Sequence, residues 1–315
     1  MISYLEFMLS QVPKSGSPPH GRGPVRGDPG SGAPISGATS SCPLFVCYLQ
    51  TVKNNSREQA NPGSAARRTR RLLPGLAVKD GFTLHPFDRQ FGVRTSGLVA
   101  GRHLLSGHSH DRHNTAYYGV SPSIFRAMVA RWKRSQPIAP INEFSLIDVG
   151  AGMGRAVLLG AEYPFRQVVG VELNPTLARM AQKNLARWRA AGRARAPMRM
   201  VCADAVDFNL PAGPCVAFLF NPFGAPVMRR LLRAWRKSFA GRPGQLDLIY
   251  VNHEQEGALE EQAGFVRLFL GQVMRSRSDA VADHAILANQ PEGEYASSNY
   301  EDCSLWRWVG RARKA

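Results

Sequence analysis

A run of closely spaced glycines carries the first sign of chemistry in this 315-residue chain. The segment Leu146-Ile-Asp-Val-Gly-Ala-Gly-Met-Gly-Arg155 passes from an apolar strand into glycines at every second position. Glycine lets the backbone turn sharply and lets a ligand approach main-chain atoms without a Cβ clash. A helix that begins directly after the loop would add free N–H donors and a partial positive charge. The segment therefore predicts a cradle for a nucleotide.

The spacing of the glycines argues against a dinucleotide. The dinucleotide fingerprint places glycine or alanine at the last position of G-x-G-x-x-G, where this chain has Arg155. Here the spacing is G-x-G-x-G, and an acid, Asp148, stands two residues before the first glycine.

Polar side chains also stand at the ends of the next three predicted strands. Glu172 ends the second strand, Asp204 follows the third, and the fourth leads into Asn221-Pro222-Phe223. Taken singly, the acids could be capping, surface or turn residues. Four successive strand ends with a polar group make coincidence much less probable, because the carboxyl ends of parallel strands meet at one edge of a sheet.

The loop and the strand ends together resemble the motifs of class I, or Rossmann-like, S-adenosylmethionine-dependent methyltransferases, and in particular bacterial members of unassigned substrate. The resemblance covers roughly residues 120–310. It implies S-adenosyl-L-methionine as the cofactor, with Glu172 accepting hydrogen bonds from the ribose hydroxyls and Asp204 from the adenine amino group. The other contacts that it implies are made by Asp148, Gly150, Ala151, Gly152, Gly154 and the backbone of Ala205.

The methyl group of such a cofactor is already activated, so the protein needs only to align an acceptor lone pair, exclude water and manage one proton. No covalent nucleophile or metal is required, and no metal site is predicted. Asn221-Pro222-Phe223 resembles the Asn/Asp-Pro-Pro-Tyr/Phe acceptor motif of amino-methylating enzymes. The second proline is missing here, which disfavours nucleobase and glutamine-amide acceptors. A rigid turn after the fourth strand is the alternative.

The region before the core is expected to cap the substrate. Tyr117-Tyr118-Gly119 leads into a helix predicted over 121–134, with Ser121 as its N-cap and Pro122 in its first turn. In the family this helix often folds over the methionine end of the cofactor. The resemblance therefore implies that Tyr118 touches the cofactor.

Histidines crowd one loop of this cap, together with one acid: His103, His108, His110, Asp111 and His113. A metal site is conceivable, but the spacing is loose and no predicted helix or strand holds the loop, so a solvated loop is expected. His113 is a candidate general base for a hydroxyl acceptor, and His253 is a second candidate.

Beyond residue 140, predicted strands alternate with helices, which indicates a parallel sheet with helices on both faces. Strands are expected at 144–149, 167–172, 198–202, 215–220 and 246–251, and helices at 153–163, 175–191, 225–239 and 257–263, with Asn174 as the N-cap of the second of these helices. The last strands, 265–270 and 305–309, have no clear crossover helix between them and should be antiparallel. The predicted fold class is α/β, a three-layer Rossmann-like parallel sheet that ends in an antiparallel C-terminal strand.

Composition changes near residue 75. Residues 1–75 are rich in Gly, Pro, Ser and Arg and are expected to be disordered; a cap region (76–140) and a methyltransferase domain (141–315) follow. Five cysteines without a CxxC pair argue against a disulfide scaffold or a structural zinc site, and no apolar run is long enough for a bilayer. The simplest expectation is a cytoplasmic protein, without a membrane partner, that is a monomer or a small homo-oligomer.

The formal net charge of +17 suggests an acidic partner such as nucleic acid, although GC-rich coding gives the same excess of arginine. The sequence as a whole predicts a methyltransferase that moves a methyl group to an N or O acceptor, a small molecule or a protein, by in-line displacement. The alternatives are a protein-lysine or RNA methyltransferase that uses the basic surface, and an inactive cofactor-binding module.

Overall fold

The computed structural model describes residues 84–289, 295 and 297–310. The predicted disordered leader, residues 1–75, lies outside the described residues, and so does the beginning of the cap region. Among the described residues, no helix combines the length and the apolar character that a bilayer crossing requires.

Seven strands form one sheet in the order β5-β4-β3-β6-β7-β9-β8. Their bounds are β3 (Ser145–Val149), β4 (Gln167–Glu172), β5 (Met198–Cys202), β6 (Cys215–Phe220), β7 (Leu246–Val251), β8 (Phe265–Met274) and β9 (Tyr300–Trp308). Strands β3 to β7 run parallel, and β9 is antiparallel to both β7 and β8. The strand order reverses at β3, between β4 and β6, and a crevice for a ligand forms at the carboxyl edge of such a switch point.

Helices cover both faces of the sheet, and two short strands lie in the cap. The helices are α1 (Pro86–Phe91), α2 (Pro122–Arg134), α3 (Arg155–Gly160), α4 (Pro175–Ala190), α5 (Ala225–Ser238), α6 (Glu256–Glu260) and α7 (Arg277–Ala288). Strands β1 (Leu98–Val99) and β2 (Tyr117–Tyr118) pair antiparallel. Successive residues of β6 face opposite sides, so Phe218 packs against Phe125 of α2 while Leu219 joins the cluster around α5. The predicted three-layer fold is confirmed.

The polar residues that precede α4 and α2 have different hydrogen-bond partners. The Asn174 side chain accepts hydrogen bonds from the backbone N–H groups of Thr176 and Leu177, at 2.9 and 3.2 Å, so the predicted cap of α4 is confirmed. Ser121 precedes α2, as predicted, but its side chain makes no capping bond. Its hydroxyl donates to Asp283 instead.

The C-terminal strands are antiparallel, as predicted, but the expectation that no helix lies between them is wrong, because α7 does. The buried face of α7 carries Asp279 and Asp283, so the apolar periodicity that signals a helix is broken there. Ser123 N–H donates to Asp279, and the Tyr118 hydroxyl donates to Asp283. Helix α3 is also shorter than the predicted span of 153–163.

Candidate functional site

A cavity that is partly open to solvent lies at the carboxyl edge of the sheet. Asp148, Glu172 and Asp204 all line this cavity, although they come from three different strands or strand ends. The main chain around Gly150 and the ring of Phe223 complete this side. The tertiary structure therefore brings the three acids singled out in the sequence to one place.

The glycine loop is built for packing within the protein. Gly150, Gly152 and Gly154 have φ angles of 71°, 53° and 86°, a region that L side chains rarely adopt. A Cβ on Gly150 would lie 2.5 Å from Pro222, and one on Gly152 would lie 2.1 Å from the ring of Tyr117. Of the three glycines only Gly150 lines the cavity, together with Ala151. Gly152 and Gly154 are needed for the turn and for close packing.

The amides of this loop are also engaged within the protein. The N–H groups of Gly150 and Ala151 both donate to the Val171 carbonyl, at 2.9 and 3.0 Å, and that of Gly152 donates to the Glu172 carboxylate at 2.7 Å. These three amides are therefore not free donors, because the loop folds back onto the end of β4; the free donors predicted at the start of the following helix stay a prediction.

Glu172 has a structural role as well as a place on the cavity wall. Its second carboxylate oxygen accepts from the Asn174 N–H at 2.7 Å, so this one side chain connects the glycine loop to the start of α4. Burial raises the pKa of Glu172, although the hydrogen bonds from Asn174 and Gly152 oppose that rise. The carboxylate oxygens retain lone pairs for further donors.

Asp148 lies beside Glu172 without a counter-ion. It is 4% exposed, and burial together with the negative charge of Glu172 raises its pKa to about 8. Among the described residues, no lysine or arginine forms an ion pair with either acid. This part of the cavity therefore suits a ligand that brings positive charge or hydrogen-bond donors.

Asp204 is held by a histidine of the cap. Its Oδ1 accepts from the Val206 N–H at 2.9 Å, and its Oδ2 lies 2.6 Å from Nδ1 of His110. Arg230 contacts the other ring nitrogen of His110, Nε2, at 3.0 Å. Because a guanidinium can only donate, Nε2 must accept, which places the ring proton on Nδ1, the nitrogen beside Asp204, although the two groups are not aligned as a hydrogen bond.

The expectation of a solvated histidine loop is wrong for its central member. His110 is 9% exposed and lines the cavity, and the loop around it is ordered by Asp111, which accepts from the N–H groups of Ser106 and Gly107, both at 2.8 Å. Ligand atoms of His108, His110 and Asp204 lie within 4.8 Å of one another, as a metal would need. A metal on Nδ1 would leave the Nε2 proton pointing at Arg230, however, which disfavours that use.

The two histidines predicted as general bases lie elsewhere. His113 is absent from the cavity wall, and burial and the charge of Arg112 lower its pKa. His253 Nδ1 lies 3.0 Å from the Glu256 carboxylate. Of the histidines in this loop, the structure therefore places His110 and not the predicted base His113 at the cavity.

Only part of the Asn221-Pro222-Phe223 segment lies on the cavity wall. Pro222 and Phe223 line the cavity but Asn221 does not. Asn221 is 2% exposed with φ at 41°, and its amide lies against the carboxyl of Glu254 without a well-formed hydrogen bond among the described residues. The main-chain oxygens accept from Thr115: its hydroxyl donates to the Asn221 carbonyl, and its N–H to the Pro222 carbonyl at 3.4 Å. Two main-chain carbonyls of the predicted acceptor motif are thus bonded to the cap.

Both tyrosines of β2 line the cavity, but they point to different partners. The Tyr118 hydroxyl donates to Asp283 at 2.6 Å, and the contact predicted between Tyr118 and a cofactor remains a prediction. Tyr117 lies over Gly152 and donates to the Thr95 carbonyl at 2.7 Å. Sequence reasoning missed Tyr117, although adjacent strand residues face opposite sides, so one of the two had to face the glycine loop.

Arg155 was also missed as a site residue. It is 3% exposed, and it lines the cavity. Its guanidinium donates to the Thr95 hydroxyl at 2.7 Å and to the Gly119 carbonyl at 3.0 Å. The residue that breaks the dinucleotide fingerprint therefore fastens the cap to the core.

Comparisons with solved structures returned chains of similar architecture. An RNA methyltransferase from Salinibacter ruber, in complex with S-adenosyl-L-homocysteine, is 15% identical, with a TM-score of 0.36 over 61% of this chain and 94% of that one. The magnesium protoporphyrin IX methyltransferase of Synechocystis PCC 6803, with bound SAM, is 12% identical, with a TM-score of 0.37 over 60% and 77%. The cyclase SpnF is 17% identical, with a TM-score of 0.41 over 60% and 82%. No protein-family model matches the sequence, and no curated protein matches it.

Proposed function

We propose that the protein is an S-adenosylmethionine-dependent methyltransferase that moves a methyl group to an N or O acceptor by direct in-line displacement. The observation that carries this proposal is the meeting of Asp148, Glu172 and Asp204 around one cavity at the switch point of the sheet. In an open α/β sheet this is where a nucleotide-like ligand binds. The order of these acids along the chain matches the resemblance noted in the sequence.

The cofactor fits the chemistry of the donor set. S-adenosylmethionine carries a sulfonium, an ammonium, two ribose hydroxyls and an adenine amino group. Asp148 and Glu172 are buried acids without a cation, so positive charge and hydroxyl donors stabilise their ionised forms. Glu172 would hold the ribose and Asp204 the adenine, next to the backbone of Ala205, with Gly150, Ala151 and Tyr118 lining the cavity.

The bound cofactor would supply a methyl group on a positively charged sulfur, which leaves as a neutral thioether. The role of the chain is to orient the acceptor and to exclude water. Aromatic side chains make up much of the wall on the acceptor side: Tyr117, Tyr118, Phe220 and Phe223. Such a wall removes water from the approach and fixes the acceptor, and alignment of this kind can lower a barrier by about 7–11 kcal/mol.

The basic surface supports the RNA alternative less well than the net charge suggests. Helix α5 carries four arginines, and three of them are engaged within the chain. Arg229 pairs with Glu261 at 2.7 Å, Arg230 contacts His110, and Arg236 donates to Gln262. A side chain already engaged in this way is less available to a phosphate, so a small-molecule or protein acceptor is favoured.

The first test is calorimetric titration of the wild-type protein with S-adenosylmethionine. We expect binding, and we expect Glu172→Ala to weaken it by about 1.5–3 kcal/mol, the loss typical of hydrogen bonds to a charged group. Glu162→Ala, an acid paired with Arg126 on the surface, is the control and should leave binding unchanged. Thermal unfolding of each variant separates lost contacts from lost folding. The proposal is contradicted if the wild-type protein does not bind.

Tritium transfer from labelled cofactor into fractionated lysate then identifies the acceptor class. Label in small metabolites supports a small-molecule acceptor, and label in protein or RNA supports the alternative enzymes. Binding without transfer to any fraction would indicate a cofactor-binding module.

A further inference from the structure

One short segment of the cap covers both ends of the cavity. We call residues 104–118 the histidine segment. His110 lies on Asp204 at one end, Thr115 lies on the carbonyls of Asn221 and Pro222 at the other, and Tyr117 lies over the glycine loop between them. The proposed function assigns Asp204 to the cofactor, and Asn221 and Pro222 belong to the segment that resembles an acceptor motif.

At the Asp204 end, the histidine covers the oxygen that a ligand would use. Asp204 Oδ1 already accepts from the Val206 N–H, and Oδ2 is buried beside His110 without a hydrogen-bond partner among the described residues. The contact with Arg230 places the ring proton of His110 on Nδ1, which lies 2.6 Å from Asp204 Oδ2, although the pair lacks the alignment of a hydrogen bond. An adenine amino group would present the same kind of N–H, so His110 and adenine compete for Asp204.

At the other end, Thr115 supplies the donors that an acceptor would bring. Its hydroxyl and its N–H donate to two adjacent carbonyls, and Asn114 forms a bridge with Phe223. The Gly224 N–H donates back to the His113 carbonyl at 2.9 Å. An amine or hydroxyl acceptor could bond these carbonyls only after this pairing opens.

The two ends belong to one ordered unit. The helical turn Asp111–His113 separates His110 from Asn114, and Asp111 ties that turn to Ser106 and Gly107. When His110 moves, Thr115 should therefore move with it, because only a short, hydrogen-bonded stretch separates the two residues.

Resting on the proposed function, we propose that the histidine segment is an internal competitor that makes binding ordered. Adenine displaces His110 from Asp204, and the same movement withdraws Thr115 from Asn221 and Pro222, so the acceptor site opens after the cofactor has bound. By linkage, acceptor binding strengthens cofactor binding by the same factor.

Calorimetry with S-adenosylhomocysteine tests the competition. His110→Ala removes the competitor and should tighten binding of S-adenosylhomocysteine at least about fivefold. In the wild-type protein the ligand binds only the form in which His110 has left Asp204, and the variant is always in that form. His110→Asn keeps an N–H near Asp204 and should remain close to the wild-type affinity. Arg112→Ala, on the exposed side of the same turn, is the matched control and should change nothing. Equal or weaker binding by His110→Ala would overturn the proposal.

Hydrogen exchange of the full chain tests the coupling. Saturating S-adenosylhomocysteine should speed exchange of the Thr115 and Gly224 amides about tenfold, since both hydrogen bonds belong to the pairing that opens. The inosine analogue, which lacks the adenine amino group, should do so far less. Unchanged exchange under saturation would overturn the coupling. If neither the wild-type protein nor any variant binds, the proposed function itself fails, whereas binding without faster exchange removes only this inference.

Discussion

The glycine loop and the histidine segment face the same cavity but are held in place by different kinds of interaction. The glycine loop is fixed by main-chain bonds to the end of the next strand, such as Gly150 N–H to the Val171 carbonyl. The histidine segment is fixed by side chains that meet residues far along the chain, with His110 on Asp204 and Thr115 on Asn221. Regular bonds between adjacent strands leave a pattern in the sequence, whereas side-chain contacts between distant segments do not.

The largest effect should come from cutting the connection between the cap and the core at Arg155. Arg155→Ala removes a buried cation that fastens residues 95 and 119 to α3. We expect the free energy of unfolding to fall by about 3–5 kcal/mol, since a buried charged network loses one partner. Urea denaturation measures this. Exposed Arg187 is the control, and Arg187→Ala should stay within about 0.5 kcal/mol of the wild type. An equally small loss for Arg155→Ala would mean that cap and core are held together by other contacts.

Gly152 should be the next most sensitive position, because it is where the loop meets the cap. In Gly152→Ala, a Cβ at positive φ would lie 2.1 Å from the Tyr117 ring, and we expect a loss of about 2–4 kcal/mol. Gly192 has a φ of 66° with nothing within 4 Å, so Gly192→Ala measures the backbone cost alone. Adding Tyr117→Ala to Gly152→Ala should cost at least about 1 kcal/mol less than the sum of the single changes. Strict additivity would contradict the clash.

Asp148, in the core, should make the free energy of unfolding depend on pH. Its folded-state pKa of about 8 is above the ordinary value of 3.8, so its contribution to stability is present at low pH and is lost as pH rises toward 8. Between these two pKa values, Asp148 should lower the free energy of unfolding by up to about 1.4 kcal/mol per pH unit, and Asp148→Asn should remove this dependence. At pH 8 we expect the variant to be more stable by about 1–3 kcal/mol. Urea denaturation at pH 6, 7 and 8 checks this, and parallel slopes for the two proteins would contradict it.

The smallest effect is expected at Thr115. Thr115→Val removes one hydroxyl from the Asn221 carbonyl and should lower the free energy of unfolding by about 1 kcal/mol. Thermal unfolding is the measurement. Thr176→Val, on the first turn of α4, is a control in which only a weak contact with Arg179 is lost. A loss of several kcal/mol at Thr115 would mean that the histidine segment is as firmly fixed as the glycine loop.

Much of the core was predictable because its signals are local. Strands β4, β5, β6 and β7 lie where apolar runs placed them, and the Asn174 cap was readable because an N-cap bonds the next few amides. Helix α7 was not predictable, since its buried face carries Asp279 and Asp283, whose partners lie in the cap. Ser121 was misassigned for the same reason, because a distant carboxylate outcompetes the local cap.

The sequence by itself determined the sheet, the glycine turn and the acids at its edge, because periodic apolar residues and strand-end positions place side chains without reference to distant contacts. Only the tertiary structure decided what those groups touch. It placed Tyr117 rather than Tyr118 on the glycine loop, used the loop amides within the protein, and brought His110 to Asp204. These outcomes depend on how a separate segment packs over the edge of the sheet, and no spacing along the chain encodes that packing.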